Sequence, residues 1–446
     1  MRISSRPGTR GRVAVAAVLG GLLVGAAVSP AYADSIRSQQ WHLDVMGAEK
    51  IWKVSTGQGV TVAVIDSGVD ATNPDLQGQV LKGRDLTPTE PGDEHSDPKG
   101  HGTSMAALIA GTGKSGGGDG AFGLAPGVKI LPIRLRDAGW DSNQDAEVAE
   151  FNTTVSTAIR YAADSGARVI NISMSVREGS QEMTESVKYA LDKGSLVFAS
   201  TGNGGDSSLA YPAATPGVVA VGAVGKDLKK SDESQWGPQV DFAAPGMEMV
   251  HACKTSDTGL CKSNGTSDAT AIASAAAALI WSKRPEWNNN QVLRAMLNTA
   301  GGPTSGNKRN DYVGYGAIRP LRAINTPGNL EPADEYPLPD LLAAETTSPS
   351  PTAEASKAAG GVADDKEDTK ESAAASDAGG NTGLWIGVGV GAAVLLGGAV
   401  AVLIVRSRRR AAAASATPPA PAYAPYPPAY APPQPGQGPG PGDLGR

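Results

Sequence analysis

Residues 61–66 read Thr-Val-Ala-Val-Ile-Asp, and Ser67-Gly68-Val69-Asp70 follow. A short run that is almost wholly apolar, rich in β-branched residues and closed by Asp and Gly is the pattern of a strand buried on both faces. Runs of the same kind recur at 129–135, 168–174, 196–200 and 218–224. Helical stretches lie between and after them, at 101–111, 146–163, 181–193, 267–283 and 289–299. This alternation predicts an α/β fold, a mostly parallel sheet with helices on both faces in three layers. In such sheets function gathers at the carboxyl ends of the strands, so polar residues at strand-to-helix junctions carry the most information.

Three junctions stand out. Asp66 ends the first strand. His101 opens an apolar helix inside GHGTSMAALIAG, with Gly100 and Gly102 on either side to let other groups approach the ring. Ser267 opens an Ala-rich helix inside NGTSDATAIASAAAALIW. Free backbone N–H groups and the positive end of the helix dipole surround a serine placed there. Taken singly, each has a plain structural explanation: a rim acid, a helix-start histidine, an N-cap. Together they supply the nucleophile, the base and the orienting acid of serine chemistry, in the chain order Asp, His, Ser. Of the other three histidines, His95 lies in an acidic loop and reads as solvated, while His42 and His251 read as structural.

The motifs VIDSGVD, HGT and NGTS resemble those of the subtilisin-family (S8) serine proteases. The resemblance implies a subtilisin-like fold with Asp66, His101 and Ser267 as the catalytic triad. A fourth match, VFASTGNGG, implies that Asn203 donates to the oxyanion together with the Ser267 N–H, with Gly202 beside it in the substrate site. VINISMSV matches the segment that pairs with the substrate backbone, which implies substrate binding at Ser173, Met174 and Ser175. The chain departs from the family pattern at Asp268 and Ala271 after the serine, and at Ser104 and Ala107 after the histidine. A carboxylate at Asp268 suits the helix dipole but would repel an oxyanion unless it points away. The stretch KSGGGDGAFG, where many subtilisins bind calcium, has one carboxylate, Asp119, so no metal and no cofactor is expected.

The two ends place the chain in the cell. Net charge is −6 overall, but it is distributed as +4 over 1–33, −5 over 34–324, −9 over 325–383 and +4 over 384–446. Arg2, Arg6, Arg10 and Arg12, an apolar run and Ala31-Tyr32-Ala33 form a signal peptide pattern, with cleavage expected after Ala33. Residues 384–405 are an uncharged apolar stretch long enough for one transmembrane helix. Four arginines between 406 and 410 follow and would hold that end in the cytoplasm. Domains are therefore expected at 1–33 (signal peptide), 34–49 (N-terminal extension), 50–324 (peptidase domain), 325–383 (disordered acidic stalk), 384–405 (membrane span) and 406–446 (cytoplasmic Pro-rich tail). The expected location is the cell membrane, single-pass, with the catalytic domain outside the cytoplasm. Charge in blocks of this kind excludes a nucleic-acid binder with a general basic excess.

Signal peptide, short extension, stalk, single span and basic stop together resemble the mycosins, membrane-anchored subtilisin-like proteases of type VII secretion. Residues 36–70, beginning IRSQQWHLDV, also resemble the mycosin entry into the core. The resemblance implies a serine endopeptidase that processes secreted polypeptides and supports a type VII secretion membrane complex. The alternative function is a catalytically weak or inactive protease-like scaffold subunit of such a complex. Cys253 and Cys261, the only cysteines, would lie outside the cytoplasm. A disulfide there would close a small loop before Ser267, worth roughly 2–3 kcal/mol on the chain-entropy model. A metal site is the alternative, with His251 and Asp257 the nearby ligands.

Overall fold

The computed structural model describes residues 35–136, 145–254, 256, 258–302 and 308–347. The expected signal peptide, membrane span and cytoplasmic tail lie outside these residues. Among the described residues no helix is long and apolar enough to cross a membrane.

Seven strands form one parallel sheet in the order β2-β3-β1-β4-β5-β6-β7. They are β1 (Thr61–Asp66), β2 (Arg84–Asp85), β3 (Lys129–Arg134), β4 (Val169–Ile172), β5 (Leu196–Ser200), β6 (Val219–Val224) and β7 (Phe242–Pro245). An antiparallel hairpin, β8 (Met249–Ala252) and β9 (Leu260–Ser263), stands apart from the sheet. The five strands read from apolar runs are present to within two residues at either end. β2, β7 and the hairpin escape that reading, because β2 is two residues long and the others carry few β-branched residues.

Period-two alternation divides the core between the two faces. Val62, Val64, Leu196 and Phe198 point to one side, where the helix Thr266–Lys283 lies. Ala63, Ile65, Val197 and Ala199 point to the other, where the helices Asp145–Asp164 and Gln181–Asp192 lie. Helix 266–283 is apolar all round because it is buried all round: every residue from Asp268 to Trp281 is buried. Its alanines let the sheet and flanking helices approach closely. Ser274 Oγ donates to Asn171 Oδ1 at 3.0 Å, which pins this helix to β4.

The N-terminal extension is part of the core. Short helices at Ile36–Gln39, Trp41–Met46 and Ala48–Ile51 bury Gln40, His42 and Leu43 completely. Gln40 Nε2 donates to the Phe122 and Val250 carbonyls, and Gln40 Oε1 accepts from Phe122 N. Neither ring nitrogen of His42 has a hydrogen-bond partner among the described residues. Burial, then the neighbouring His251 and Arg37, lower its pKa from 6.5 to about 3. A depressed folded-state pKa gives stability that is complete above 6.5 and is lost as pH falls toward 3. We expect His42 alone to cost about 2 kcal/mol by pH 5. Thermal unfolding between pH 7 and 5 checks this: an unchanged Tm, or an equal fall in His42→Leu, contradicts it.

Residues 326–347, expected to belong to the stalk, pack on the domain. Beyond the helix Pro320–Asn325 the chain continues over the domain to the helix Pro339–Thr347. Tyr336 OH donates to the Gly217 carbonyl at 2.7 Å, and Asp340 Oδ2 accepts from Gly217 N at 3.0 Å. Leu338 is buried, and Asn288 and Asn290 both donate to the Ala333 carbonyl. Composition averaged over the whole acidic stretch hid the apolar residues Leu330, Tyr336, Leu338 and Leu341 at its start.

Candidate active site

Asp66 sits at the last position of β1, in the middle of the sheet, and is 1% exposed. Its Oδ1 accepts from Ser67 N at 2.8 Å and meets His101 Nδ1 at 2.7 Å. That contact fixes the histidine tautomer, because a carboxylate oxygen can only accept: Nδ1 carries the proton and Nε2 is left to act as base. The His101 side chain remains 41% exposed. Burial works to lower its pKa, but the Asp66 carboxylate against Nδ1 outweighs it, and the value is raised from 6.5 to about 9.

His101 is the first residue of the helix His101–Ala110, and the helix start is held by a buried acid that sequence reasoning missed. Asp97 is fully buried and accepts from Gly100 N, Thr103 N, Thr103 Oγ1 and Ser67 Oγ at 2.7–2.8 Å. It belongs to the acidic loop that contains His95. The signal that could have found it is its spacing, an acid placed to satisfy the free N–H groups of a helix beginning at His101. Gly102 explains the glycine after the histidine, since a Cβ there would meet the Gly68 carbonyl oxygen at 2.1 Å. His95, in the same loop, meets the Leu81 carbonyl through Nε2.

Ser267 is the second residue of its helix and partly exposed. In this structure its hydroxyl donates to the Ser173 carbonyl at 3.1 Å, and Ser173 Oγ donates back to the Ser267 carbonyl at 3.3 Å. The structure thus joins Asp66 to His101, and joins Ser267 to the segment that follows β4. Rotation about the Ser267 Cα–Cβ bond redirects the hydroxyl without moving the helix. Ser173 and Met174 are buried to within 8% exposure, and Ser175 is half-buried.

Asn203 follows β5. Its Oδ1 accepts from Thr266 N at 2.9 Å and from Thr266 Oγ1 at 3.0 Å. With the amide oxygen held by two donors, the amide nitrogen faces the other way and is the group free to donate. Thr266 is therefore a second residue that sequence reasoning missed; HGT and NGTS both use threonine to hold a loop. At Gly202, expected in the substrate site, the N–H donates to Thr266 Oγ1 and the carbonyl accepts from Gln235 N. Glycine is needed there because φ is +100° and a Cβ would meet Gln235 Oε1 at 1.6 Å.

Cys253 and Cys261 are joined by a disulfide across the β8–β9 hairpin, which settles the choice between bridge and metal ligands. The hairpin packs beside Ser267. Asp268, 1% exposed, points toward it and meets Ser263 Oγ at 2.9 Å. Ser104 Oγ donates to the Gly100 carbonyl, and Ala107 packs with Ala121 and Ala252, so both departures after the histidine serve local packing. In the stretch compared with calcium loops, both Asp75 oxygens accept hydrogen bonds, from Ser115 N, Ser115 Oγ and Ala121 N. Asp119 accepts from Ile36 N. Among the described residues no group of three or more His, Cys, Asp or Glu could hold a metal ion.

The chain is 35% identical over 277 residues to a thermophilic serine proteinase of Bacillus sp. (strain AK1). The match covers 61% of this chain and 64% of that relative, so it spans less than two thirds of the relative's length. Its structure is similar to that of MycP1 from Mycobacterium smegmatis, with a TM-score of 0.58, 27% identity, and coverage of 66% of this chain and 86% of that one. It is also similar to a chain in the periplasmic assembly of an ESX-5 inner membrane complex, with a TM-score of 0.57, 28% identity, and coverage of 69% and 90%. The peptidase S8 model of the subtilase family matches residues 57–316, which include every site residue described above. The chain belongs to the subtilase family, the S8 serine endopeptidases.

Proposed function

We propose that this protein is a membrane-anchored, extracytoplasmic serine endopeptidase whose triad is Asp66, His101 and Ser267. The observation that carries the reading is the 2.7 Å contact between Asp66 and His101 Nδ1 at the sheet rim, with Asn203 held by Thr266 so that its amide nitrogen can donate. In the reaction, His101 Nε2 takes the hydroxyl proton as Ser267 Oγ bonds to the scissile carbonyl carbon. The carbonyl electrons move onto oxygen, where Asn203 and the Ser267 N–H donate to them. His101 then passes its proton to the departing amine as the C–N bond breaks. Water, deprotonated by His101, attacks the acyl-enzyme and releases the acid and Ser267.

The similarity to MycP1 and to the ESX-5 assembly supports polypeptide substrates exported by a type VII secretion system, and a place within its membrane complex. The signal peptide and span patterns support attachment to the membrane with the peptidase domain outside. A fluorophosphonate probe tests the chemistry. Folded wild type should take one label, located on Ser267 by mass spectrometry; folded protein that takes none would reject the reading. Asn203→Ala should lower kcat by about 10²–10³ with KM little changed, because one oxyanion donor is lost. Steady-state kinetics on a peptide substrate check this, and a loss under tenfold would remove Asn203 from the oxyanion site.

A further inference from the structure

A second set of acid, hydroxyl and imidazole lies beside Ser267 and takes no part in the triad. Asp268 Oδ1 is 2.9 Å from Ser263 Oγ, and Ser263 Oγ is 2.8 Å from His251 Nε2. His251 Nδ1 is 2.9 Å from the Ala252 carbonyl oxygen. Asp268 and His251 are each 1% exposed. Hydrogen counting limits what this chain can be. The Ala252 carbonyl only accepts, so His251 Nδ1 carries a proton. A neutral His251 then has a lone pair on Nε2, and Ser263 must donate to it. A hydroxyl has one hydrogen, so the contact between Ser263 and Asp268 needs a proton supplied by the Asp268 carboxyl. The other arrangement reverses both bonds and pairs a His251 cation with an Asp268 anion.

The surroundings choose between them. His251 is buried, and His101 and His42 act on it electrostatically, so a cation there has little water and, when His101 is charged, a like charge nearby. Among the described residues, the titratable group that faces Asp268 besides this chain is His101, and burial outweighs its attraction. We infer that Asp268, Ser263 and His251 form a buried neutral chain in which the carboxyl next to the nucleophile keeps its proton and donates to Ser263. The inference rests on the reading of Ser267 as nucleophile and His101 as base. It makes Asp268 a positioning residue. Neutral, it neither opposes the oxyanion nor holds a proton on His101; ionised, it does both. The direction of the Asp268 carboxyl agrees, since burial pushes it up to about 7.

The test is the pH profile of fluorophosphonate labelling from pH 5 to 10, for the full chain and for Asp268→Asn, whose amide imitates the protonated acid. The two curves should coincide below about pH 6.5. Above it they should separate, with Asp268→Asn faster by about three- to tenfold near pH 8, because its His101 lacks the added anion. A separation that persists undiminished to pH 5 would show a charge already present there and overturn the inference. No separation at any pH would overturn it equally. Nitrogen NMR of the histidines in Ser267→Ala reads the chain without catalysis. His251 should be neutral at pH 7 with its proton on Nδ1, and an imidazolium signal or an Nε2 proton overturns the inference. If wild type takes no label at any pH, the nucleophile reading fails while the NMR still decides the chain.

Discussion

Ser267→Ala should lower kcat by about 10⁶, the loss that follows when a triad nucleophile is removed and only oxyanion stabilisation and binding remain. The structural cost should be small. Among the described residues the hydroxyl makes one hydrogen bond, to the Ser173 carbonyl, and it lies at a partly exposed helix start, so the core is not opened. Residues 266–283 stay helical because every residue from Asp268 to Trp281 is buried, independent of that hydroxyl. Activity and stability therefore separate: peptide hydrolysis should vanish while Tm moves by no more than a degree or two, an estimate of order 0.5 kcal/mol or less. Kinetics and calorimetry on the same preparation check it. A variant that retains more than about 1% of wild-type kcat would place the nucleophile elsewhere.

Asp66→Asn should lower kcat by about 10⁴ near neutral pH. Asp66 Oδ1 accepts from both Ser67 N and His101 Nδ1, so an amide oxygen placed there still serves Ser67. What is lost is the charge that favours the imidazolium, and the certainty of the tautomer: an amide nitrogen turned toward the ring donates to Nδ1 and leaves the proton on Nε2, where it blocks proton abstraction. The carboxylate also raises the His101 pKa above 6.5, so the variant should titrate lower. The sign for stability follows. A histidine whose folded pKa is raised stabilises the fold below the unfolded value, and that contribution fades as pH rises toward the folded value. Asp66→Asn should therefore lose stability relative to wild type at pH 6 and recover much of the difference by pH 9. Urea unfolding at the two pH values measures it, and an equal difference at both would mean His101 is not the coupled group.

The strands at 61–66, 129–134 and 196–200 were legible because burial on both faces leaves a local signature, a continuous apolar run. The proposed triad residues stood out because each ends or begins an element, and because their order along the chain carries chemistry. What holds Gly202 was not legible for the opposite reason. Only the packing of Gln235 against it shows which bonds its backbone makes within the fold. The fold of residues 326–347 was missed because four apolar residues are diluted in an acidic composition, and their partners, such as Gly217 and Asn288, lie far back in the chain.

By itself the sequence determined the class of fold and the family resemblance, and it singled out Asp66, His101 and Ser267 as candidates for acid, base and nucleophile, since these readings rest on periodicity, junctions and order. The tertiary structure decided which acids are solvated and which are buried. It placed Asp97 under the His101 helix, turned the Asn203 oxygen into Thr266, and set Asp268 against Ser263 and His251. Whether a carboxyl is charged depends on how much water and how many donors reach it. Segments distant in the chain supply both, and no local pattern of residues records them.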